Sequence, residues 1–188
     1  SLIGGDAAWA QKYKQYSLTD AHGALWDPSQ DALWAVGKSE LVAYSVEGEG
    51  INQTLKKLSG MGGTLPSEYG HDLSADMTDV NYLYITTSSA VYRFDKDSND
   101  FSVSYDNASA LNMKNVKGFG NNRNGHFFYS IPNGGKGTSW ENSSYASWST
   151  NTIYYGYYKT ATRFARKVLV SESEAVLYKI RVFEGQYQ

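Results

Sequence analysis

The sequence predicts an all-β protein, and within that class a β-propeller made of four-stranded antiparallel blades. Its composition is rich in strand-forming residues, because aromatic residues make up 15% of the chain, including 16 Tyr, against 19% charged residues. Short runs of alternating apolar residues are separated by Gly, Asn, Asp and Ser, with almost no helical periodicity. The runs recur in groups of four, which is the strand number of a propeller blade.

The first predicted blade covers residues of about 21–60. Its strands are expected at 21–26, 32–36, 41–46 and near 52–58, with turn-forming residues between them. This order predicts a four-stranded meander.

The second predicted blade covers residues of about 70–106 and repeats the first. It opens on Gly-His-Asp-Leu and continues with apolar runs at 82–86, 90–94 and 101–105. His22 and His71 open the two units and lie 49 residues apart (71 − 22). Propeller blades repeat every ~40–50 residues, so the spacing favours blades over a β-sandwich, which is the competing fold.

The third predicted blade covers residues of about 115–170 and contains a long insertion at 132–151. An insertion of that length is too long for a hairpin turn, and we expect it to overhang a pocket. One further strand is predicted at 175–183 and would belong to a ring-closing blade whose other strands come from elsewhere. Three blades and one strand cannot form a ring, which normally needs at least about four blades. The sequence therefore predicts the C-terminal portion of a larger ring, completed by a missing N-terminal segment or a partner chain.

Charge and composition exclude several classes of function. The net charge is −2 and no stretch clusters Lys and Arg with aromatic residues, which argues against nucleic acid as a partner. The absence of Cys removes thiol catalysis and Cys-ligated zinc. No apolar run reaches the ~20 residues of a membrane span. Sequons at Asn52, Asn107 and Asn142 are candidate glycosylation sites and point to an extracellular protein.

The candidate site residues are those expected at the centre of the ring. Because the first strand of each blade lines the central channel, His22, His71 and Lys117 should converge there. Arg181 and Lys179 join them from the last strand, since alternate residues of a strand share a face. This set would hold an anionic ligand such as a uronic acid. Two alternatives stay open: His22 and His71 bind a divalent metal with a third ligand from elsewhere, or they bond to neighbouring backbone and only fix the ring.

Aromatic residues in the insertion supply a second candidate surface. Trp140 and Trp148, with Tyr145, would stack on sugar faces or else pin the insertion to its blade. Asp72 is expected to cap a turn, with the alternative that it orients an imidazole or polarises a water. The tyrosines at 154–158 and His126 are expected to be structural. No phosphate-binding loop, Ser-His-Asp order or paired-carboxylate motif is present.

Four stretches carry a resemblance to known proteins. They are residues 21–28, 33–37, 70–73 and 178–183, which read Ala-His-Gly-Ala-Leu-Trp-Asp-Pro, Leu-Trp-Ala-Val-Gly, Gly-His-Asp-Leu and Tyr-Lys-Ile-Arg-Val-Phe. From about residue 16 onward the chain resembles an uncharacterised family of bacterial and fungal secreted β-propellers. The resemblance implies a propeller fold, export and no established activity. It also implies a further N-terminal segment with another histidine-bearing strand.

Three functions follow from these observations. The first is a secreted β-propeller that binds a carbohydrate or another small polar ligand in its central channel. The second is a lyase acting on an acidic polysaccharide, in which Lys117 or Arg181 neutralises the carboxylate and His22 or His71 moves the proton. The third is a structural or protein-interaction module without catalysis. The sequence alone does not choose between them.

Overall fold

A computed structural model of the chain describes residues 14–102, 113–132, 149–150, 152–157, 166–169 and 177–181. The described part is all-β, as predicted, and contains three four-stranded antiparallel sheets. The N-terminal sheet consists of β1 (Gly23–Asp27), β2 (Ala32–Val36), β3 (Glu40–Glu47) and β4 (Thr54–Thr64), with a short 3-10 turn at Gly50–Asn52. The middle sheet consists of β5 (Asp72–Ala75), β6 (Tyr82–Thr86), β7 (Val91–Asp95) and β8 (Asp100–Ser102). The C-terminal sheet consists of β9 (Gly118–Asn121), β10 (His126–Ser130), β11 (Thr152–Tyr157) and β12 (Arg166–Leu169).

Each sheet is a meander in which consecutive strands pair. The alternating apolar residues favour such sheets, because each strand then has one buried face and one face that contacts a neighbouring sheet or solvent. The register shifts once in the N-terminal sheet, between Val42 and Tyr44 against β4. Gly62 lies opposite this irregularity with φ +85°, and a Cβ there would lie 2.2 Å from the carbonyl oxygen of Leu41. Only glycine fits that position.

The hydrophobic core lies between the sheets. Trp34 of the N-terminal sheet packs edge-on against Phe94 of the middle sheet, with ring centroids 5.4 Å apart. On the opposite face of the middle sheet, Tyr84 packs against Phe119 of the C-terminal sheet at 4.8 Å. Both faces of the middle sheet are therefore covered, and this sheet joins the other two into one packed unit.

The first strands of the three sheets start at equivalent positions. The residue that precedes each first strand donates its backbone N–H to the carbonyl of the last residue in the second strand of the same sheet. The three bonds are His22 to Val36 at 3.0 Å, His71 to Thr86 at 2.7 Å and Lys117 to Ser130 at 2.9 Å. Because β5 contacts β1 on one side and β9 on the other, His22, His71 and Lys117 all lie at the same end of the assembly.

The strand predicted at 175–183 is wrong for its described part, residues 177–181. Only Leu177 pairs there, in an isolated bridge with Thr150. The carbonyls that follow are bound by side chains instead of a neighbouring strand: Ser130 donates to Tyr178, and Arg181 donates to Ile180. Pairing with the backbone of another strand is thereby replaced by contacts with side chains.

No helix in the described part of the chain has the length and hydropathy of a membrane span.

Candidate functional site

Six polar side chains gather where the first strands begin, and we call them the cationic cluster. They are His22, His71, Asp72, Lys117, Lys179 and Arg181. His71 and Lys117 precede β5 and β9, whereas Lys179 and Arg181 come from the segment 177–181. The cluster is thus built by residues up to 159 positions apart in sequence (181 − 22), brought together because the sheets start at one common end.

His71 and Lys117 form a buried pair at the centre of the cluster. The Nζ atom of Lys117 lies 2.7 Å from Nε2 of His71. An ammonium group has only donors, so Nε2 accepts and the imidazole proton lies on Nδ1. Nδ1 is buried and has no hydrogen-bond partner among the described residues. The pair therefore has one N–H donor, at Nδ1 of His71, that is available to an acceptor.

The electrostatics of this pair disfavour further positive charge. Burial, followed by the charges of Lys117, His22 and Lys179, lowers the pKa of His71 to about 4. Burial and the nearby charge of Lys179 lower the pKa of Lys117 to about 8. At neutral pH His71 is therefore neutral and Lys117 is mostly charged, which agrees with the tautomer inferred from the geometry.

Asp72 supplies a carboxylate to the cluster. Arg181 donates from Nη1 to Oδ2 at 2.7 Å, and its Nη2 lies 2.6 Å from Oδ1. The backbone N–H of Phe119 also donates to Oδ2, and Lys179 lies 3.7 Å away. Burial raises the pKa of Asp72, and the charges of Arg181 and Lys179 oppose that rise without reversing it. The expectation that Asp72 caps a turn is wrong, because it begins β5 and pairs with residues from two other segments.

Lys179 connects the far segment to the first sheet. Its Nζ donates to the backbone carbonyl of His22 at 2.5 Å. The His22 ring lies edge-on to the His71 ring, with centroids 5.9 Å apart, and its Nδ1 is 2.7 Å from the carbonyl oxygen of Asp20. His22 is exposed, so its ring covers one side of His71 without being locked by packing.

The predicted residues His22, His71, Lys117 and Arg181 therefore lie together. The alternative in which both imidazoles bond to neighbouring backbone differs from the structure, because His71 bonds to a side chain and His22 to a carbonyl of its own segment. No group of three or more metal-ligating side chains forms among the described residues. The ammonium group at Nε2 of His71 also repels a cation, so the divalent-metal hypothesis for His22 and His71 gains no support here.

The other predicted site residues lie outside the described residues, except for Asn52. Trp140 and Trp148, together with Tyr145, lie outside the described residues, and so do the sequons at Asn107 and Asn142. Asn52 is exposed at the end of the 3-10 turn.

A cleft of about 180 Å³ adjoins the cluster and runs along the first strands. Its wall includes Leu25, Ser74 and Gly120, which hold equivalent places on β1, β5 and β9, each two residues after the strand start. Arg181 lines the cleft as well and is bound to Asp72 at the start of β5. The guanidinium therefore lies at the end of the cleft where the first strands begin.

The opposite ends of β1 and β5 carry a second polar network that sequence reasoning missed. Asp27 ends β1 and accepts bonds from the backbone N–H and hydroxyl of Ser29, at 2.9 and 2.6 Å. Asp76 follows β5 and accepts the same two bonds from Thr78 at the same distances. We call these the aspartate turns. Their repeated Asp-x-Ser/Thr pattern, 49 residues apart (76 − 27), was the available signal.

Both aspartate turns also form ion pairs. Lys96 of the middle sheet reaches Asp27 of the N-terminal sheet at 2.5 Å, and both side chains are almost fully buried. Asp76 pairs with Arg93 at 2.8 Å and accepts from Asn121 at 2.7 Å. Burial alone would raise the pKa of Asp76, but hydrogen bonds from Thr78 and Asn121 and the charge of Arg93 hold that pKa below its usual value.

Comparison with known proteins adds little to these findings. No protein-family model and no curated protein matches the chain. Among solved structures, two crystal structures of the extracellular domain of BT4673 from B. thetaiotaomicron are 14% identical to it, with TM-scores of 0.44 and 0.45. They match 80% and 76% of this chain and 18% and 17% of their own. PorZ, an essential surface component of the type-IX secretion system of Porphyromonas gingivalis, is 11% identical with a TM-score of 0.37, over 86% of this chain and 30% of its own.

The chain thus spans less than a third of the length of each of these structures. TM-scores below 0.5 are too low to carry over a fold or an activity. The resemblance to secreted β-propellers therefore stays a prediction.

Proposed function

We propose that the three sheets are consecutive blades of a β-propeller whose central channel binds a small anionic ligand through the cationic cluster. The consecutive strand order in every sheet and the adjacent first strands support the propeller arrangement.

The segment 177–181 supports the same arrangement. A Cβ on Gly23 would lie 3.1 Å from the backbone nitrogen of Leu73, and a Cβ on Gly118 would lie 2.8 Å from that of Ile180. The segment thus lies against the C-terminal sheet as β5 lies against the N-terminal sheet. In the proposed ring it takes the place of the first strand of the next blade.

The observation that carries the binding proposal is the buried Nδ1–H of His71, for which the described part of the chain offers no acceptor. A buried donor without an acceptor costs ~1–3 kcal/mol, which an acceptor atom of a ligand would offset. Lys117 bonds to the other ring nitrogen, and Lys179 lies close enough to lower the pKa of both groups. The field around Nδ1 is positive, so an anionic oxygen is the acceptor that it favours most.

The exposed ring of His22 gives the ligand its access. That ring stands beside His71 and keeps its place through one bond to the carbonyl of Asp20. Rotation of an exposed side chain is fast and inexpensive, so the ligand displaces the His22 ring without disturbing the strands. A carboxylate is the anion that best fits the proposal, because it offers two acceptor oxygens to neighbouring donors.

Calorimetric titration of the whole chain with acetate, glucuronate and galacturonate tests this function. We expect saturable binding that weakens at least tenfold in His71→Gln. The matched control is His126→Gln, since His126 is exposed on the C-terminal sheet away from the cluster, and it should bind as the unmodified chain does. No heat from any carboxylate, or equal loss in both variants, would refute the proposal.

A lyase acting on an acidic polysaccharide is the second candidate, and the lowered pKa of Lys117 favours it. We reassign to Lys117 the proton transfer that was expected of His22 or His71, because with a pKa of about 8 it has a neutral fraction near neutral pH that is able to accept a proton. Arg181 keeps the role of neutralising the substrate carboxylate, because its contacts with Asp72 and Ile180 use only part of its N–H groups. New ultraviolet absorbance from unsaturated uronate products, absent in Lys117→Met, would support this activity, and no absorbance across acidic polysaccharides would exclude it.

The extracellular location stays part of the proposal. The exposed sequon at Asn52 is its main support within the described residues.

A further inference from the structure

We propose that the ligand is a monocarboxylate with a short apolar body, whose carboxylate lies in the cationic cluster, where Arg181 at the end of the cleft adds N–H donors to the Nδ1–H of His71, and whose body lies along the first strands. This deepens the proposed function and rests on it. A sugar acid, which is the natural alternative, fits the cleft less well.

Positive charge lies at one end of the cleft. Leu25, Ser74 and Gly120 occupy equivalent positions on three strands, and Arg181 is the charged member among the residues that line the cleft. Nη1 donates to Asp72 and to the carbonyl of Ile180, and Nη2 faces Asp72. A guanidinium has five N–H groups, so the Nε–H and one Nη2–H make none of these contacts. Half of the side chain is exposed, which leaves it accessible to a carboxylate.

The wall of the cleft favours an apolar ligand body. Apolar side chains supply most of it, from Ala24 and Leu25 on β1 to Phe119 on β9. Asn121 lies in the wall, but its amide already donates to Asp76 and accepts from the N–H of Met77. Ser74 is then the side chain that remains to bond a hydroxyl. A sugar acid would place several hydroxyl groups against this wall with one such side chain to bond them, at a cost for each group left unmatched.

The size of the cleft limits the length of the ligand body. A cleft of about 180 Å³ is smaller than the ~300–1,000 Å³ of sites for drug-sized ligands. It suits a body of about four to six carbon atoms. Burial of each CH₂ contributes ~0.8 kcal/mol, which is about a fourfold gain in affinity per CH₂.

Titration of the whole chain with acetate, butanoate, hexanoate and octanoate, beside glucuronate, tests the inference. We expect the dissociation constant to fall about fourfold per CH₂ until the cleft is filled. Ser74→Leu should weaken hexanoate at least tenfold and leave acetate unchanged, because it fills the cleft and not the Arg181 end. The equivalent residue of β1 is Leu25, so the substitution introduces a side chain that this position already carries in another sheet.

Ser74→Ala is the matched control and separates the two ligand classes. It keeps the cleft open and removes the hydroxyl, so hexanoate should bind as before. Equal affinity along the series, or glucuronate tighter than hexanoate with a loss in Ser74→Ala, would overturn the monocarboxylate while anion binding stands. Failure of every carboxylate to bind would overturn the proposed function as well.

Discussion

The two ends of the first strands differ in how fully their polar groups are satisfied. At the aspartate turns, Asp27 and Asp76 each accept two bonds from a Ser or Thr and pair with a cation, Lys96 or Arg93. At the cationic cluster, the Nδ1 of His71 has no partner among the described residues and burial lowers the pKa of Lys117 to about 8. Hydrogen bonds lower the pKa of Asp76, whereas burial raises the pKa of Asp72.

This difference separates residues that stabilise the fold from residues suited to binding. A buried charge with matched partners costs little to keep and much to break. A buried charge that its surroundings disfavour lowers stability and is retained where it serves another purpose. The same type of substitution at the two ends should therefore have opposite effects.

Lys96→Met breaks the better-matched end and should have the largest effect. It leaves the buried carboxylate of Asp27 without its ion pair, so we expect the free energy of unfolding to fall by ~3–5 kcal/mol. Denaturant unfolding at pH 7 measures the change. Asp27→Asn combined with Lys96→Met should recover most of the loss. A loss below about 1 kcal/mol in the single variant would contradict the role of this pair.

Lys117→Met removes a cation at the opposite end and should stabilise the fold at pH 7, by up to ~3 kcal/mol. The pH dependence of stability shows whether the charge of Lys117 is stabilising or destabilising. Because the pKa of Lys117 is lowered from 10.5 to about 8, the unfolded chain binds more protons between these values, and stability should rise with pH across that window. This rise should be absent in Lys117→Met. If the free energy of unfolding changed in parallel for the unmodified chain and Lys117→Met from pH 8 to 10.5, the charge of Lys117 would not be destabilising.

Thr78→Ala and His22→Ala compare single side chains at the two ends and should have the smallest effects. Thr78 donates its hydroxyl to a buried carboxylate, so its loss should cost ~1.5 kcal/mol. His22 is exposed and its ring makes one hydrogen bond within the described residues, so its loss should change stability by less than ~0.5 kcal/mol. Thermal unfolding of both variants checks the order, and an equal or reversed order would remove the distinction between the two ends.

The sequence predicted the strands well because their signal is local. Alternating apolar residues and turn formers indicate where strands such as β2 and β6 lie. The location of His22, His71 and Lys117 at one end of the sheets was also predictable, since each precedes the first strand of a repeated unit. The segment 177–181 was predicted as a strand, and its contacts with the side chains of other sheets depend on long-range packing that no local pattern reveals.

The side-chain pairs inside the site could not be predicted from the sequence, for the same reason. Nothing local connects Asp72 to Arg181 or Lys96 to Asp27. Such pairs are fixed only when the sheets pack, and their pKa shifts follow from burial that arises in the folded chain. The repeated Asp-x-Ser/Thr pattern at Asp27 and Asp76 was visible, but it indicates a turn and not its ion-pair partner.

The tautomer of His71 tests the central claim most directly, because the binding proposal depends on a proton at Nδ1. Imidazole nitrogen NMR of the whole chain at pH 7, with His71→Gln used for assignment, measures it. We predict that His71 carries its proton on Nδ1, titrates near pH 4 in the free protein, and shows a shifted Nδ1 signal and a raised pKa when hexanoate or another carboxylate is added. A proton on Nε2, or an Nδ1 signal that no carboxylate changes, would contradict the account.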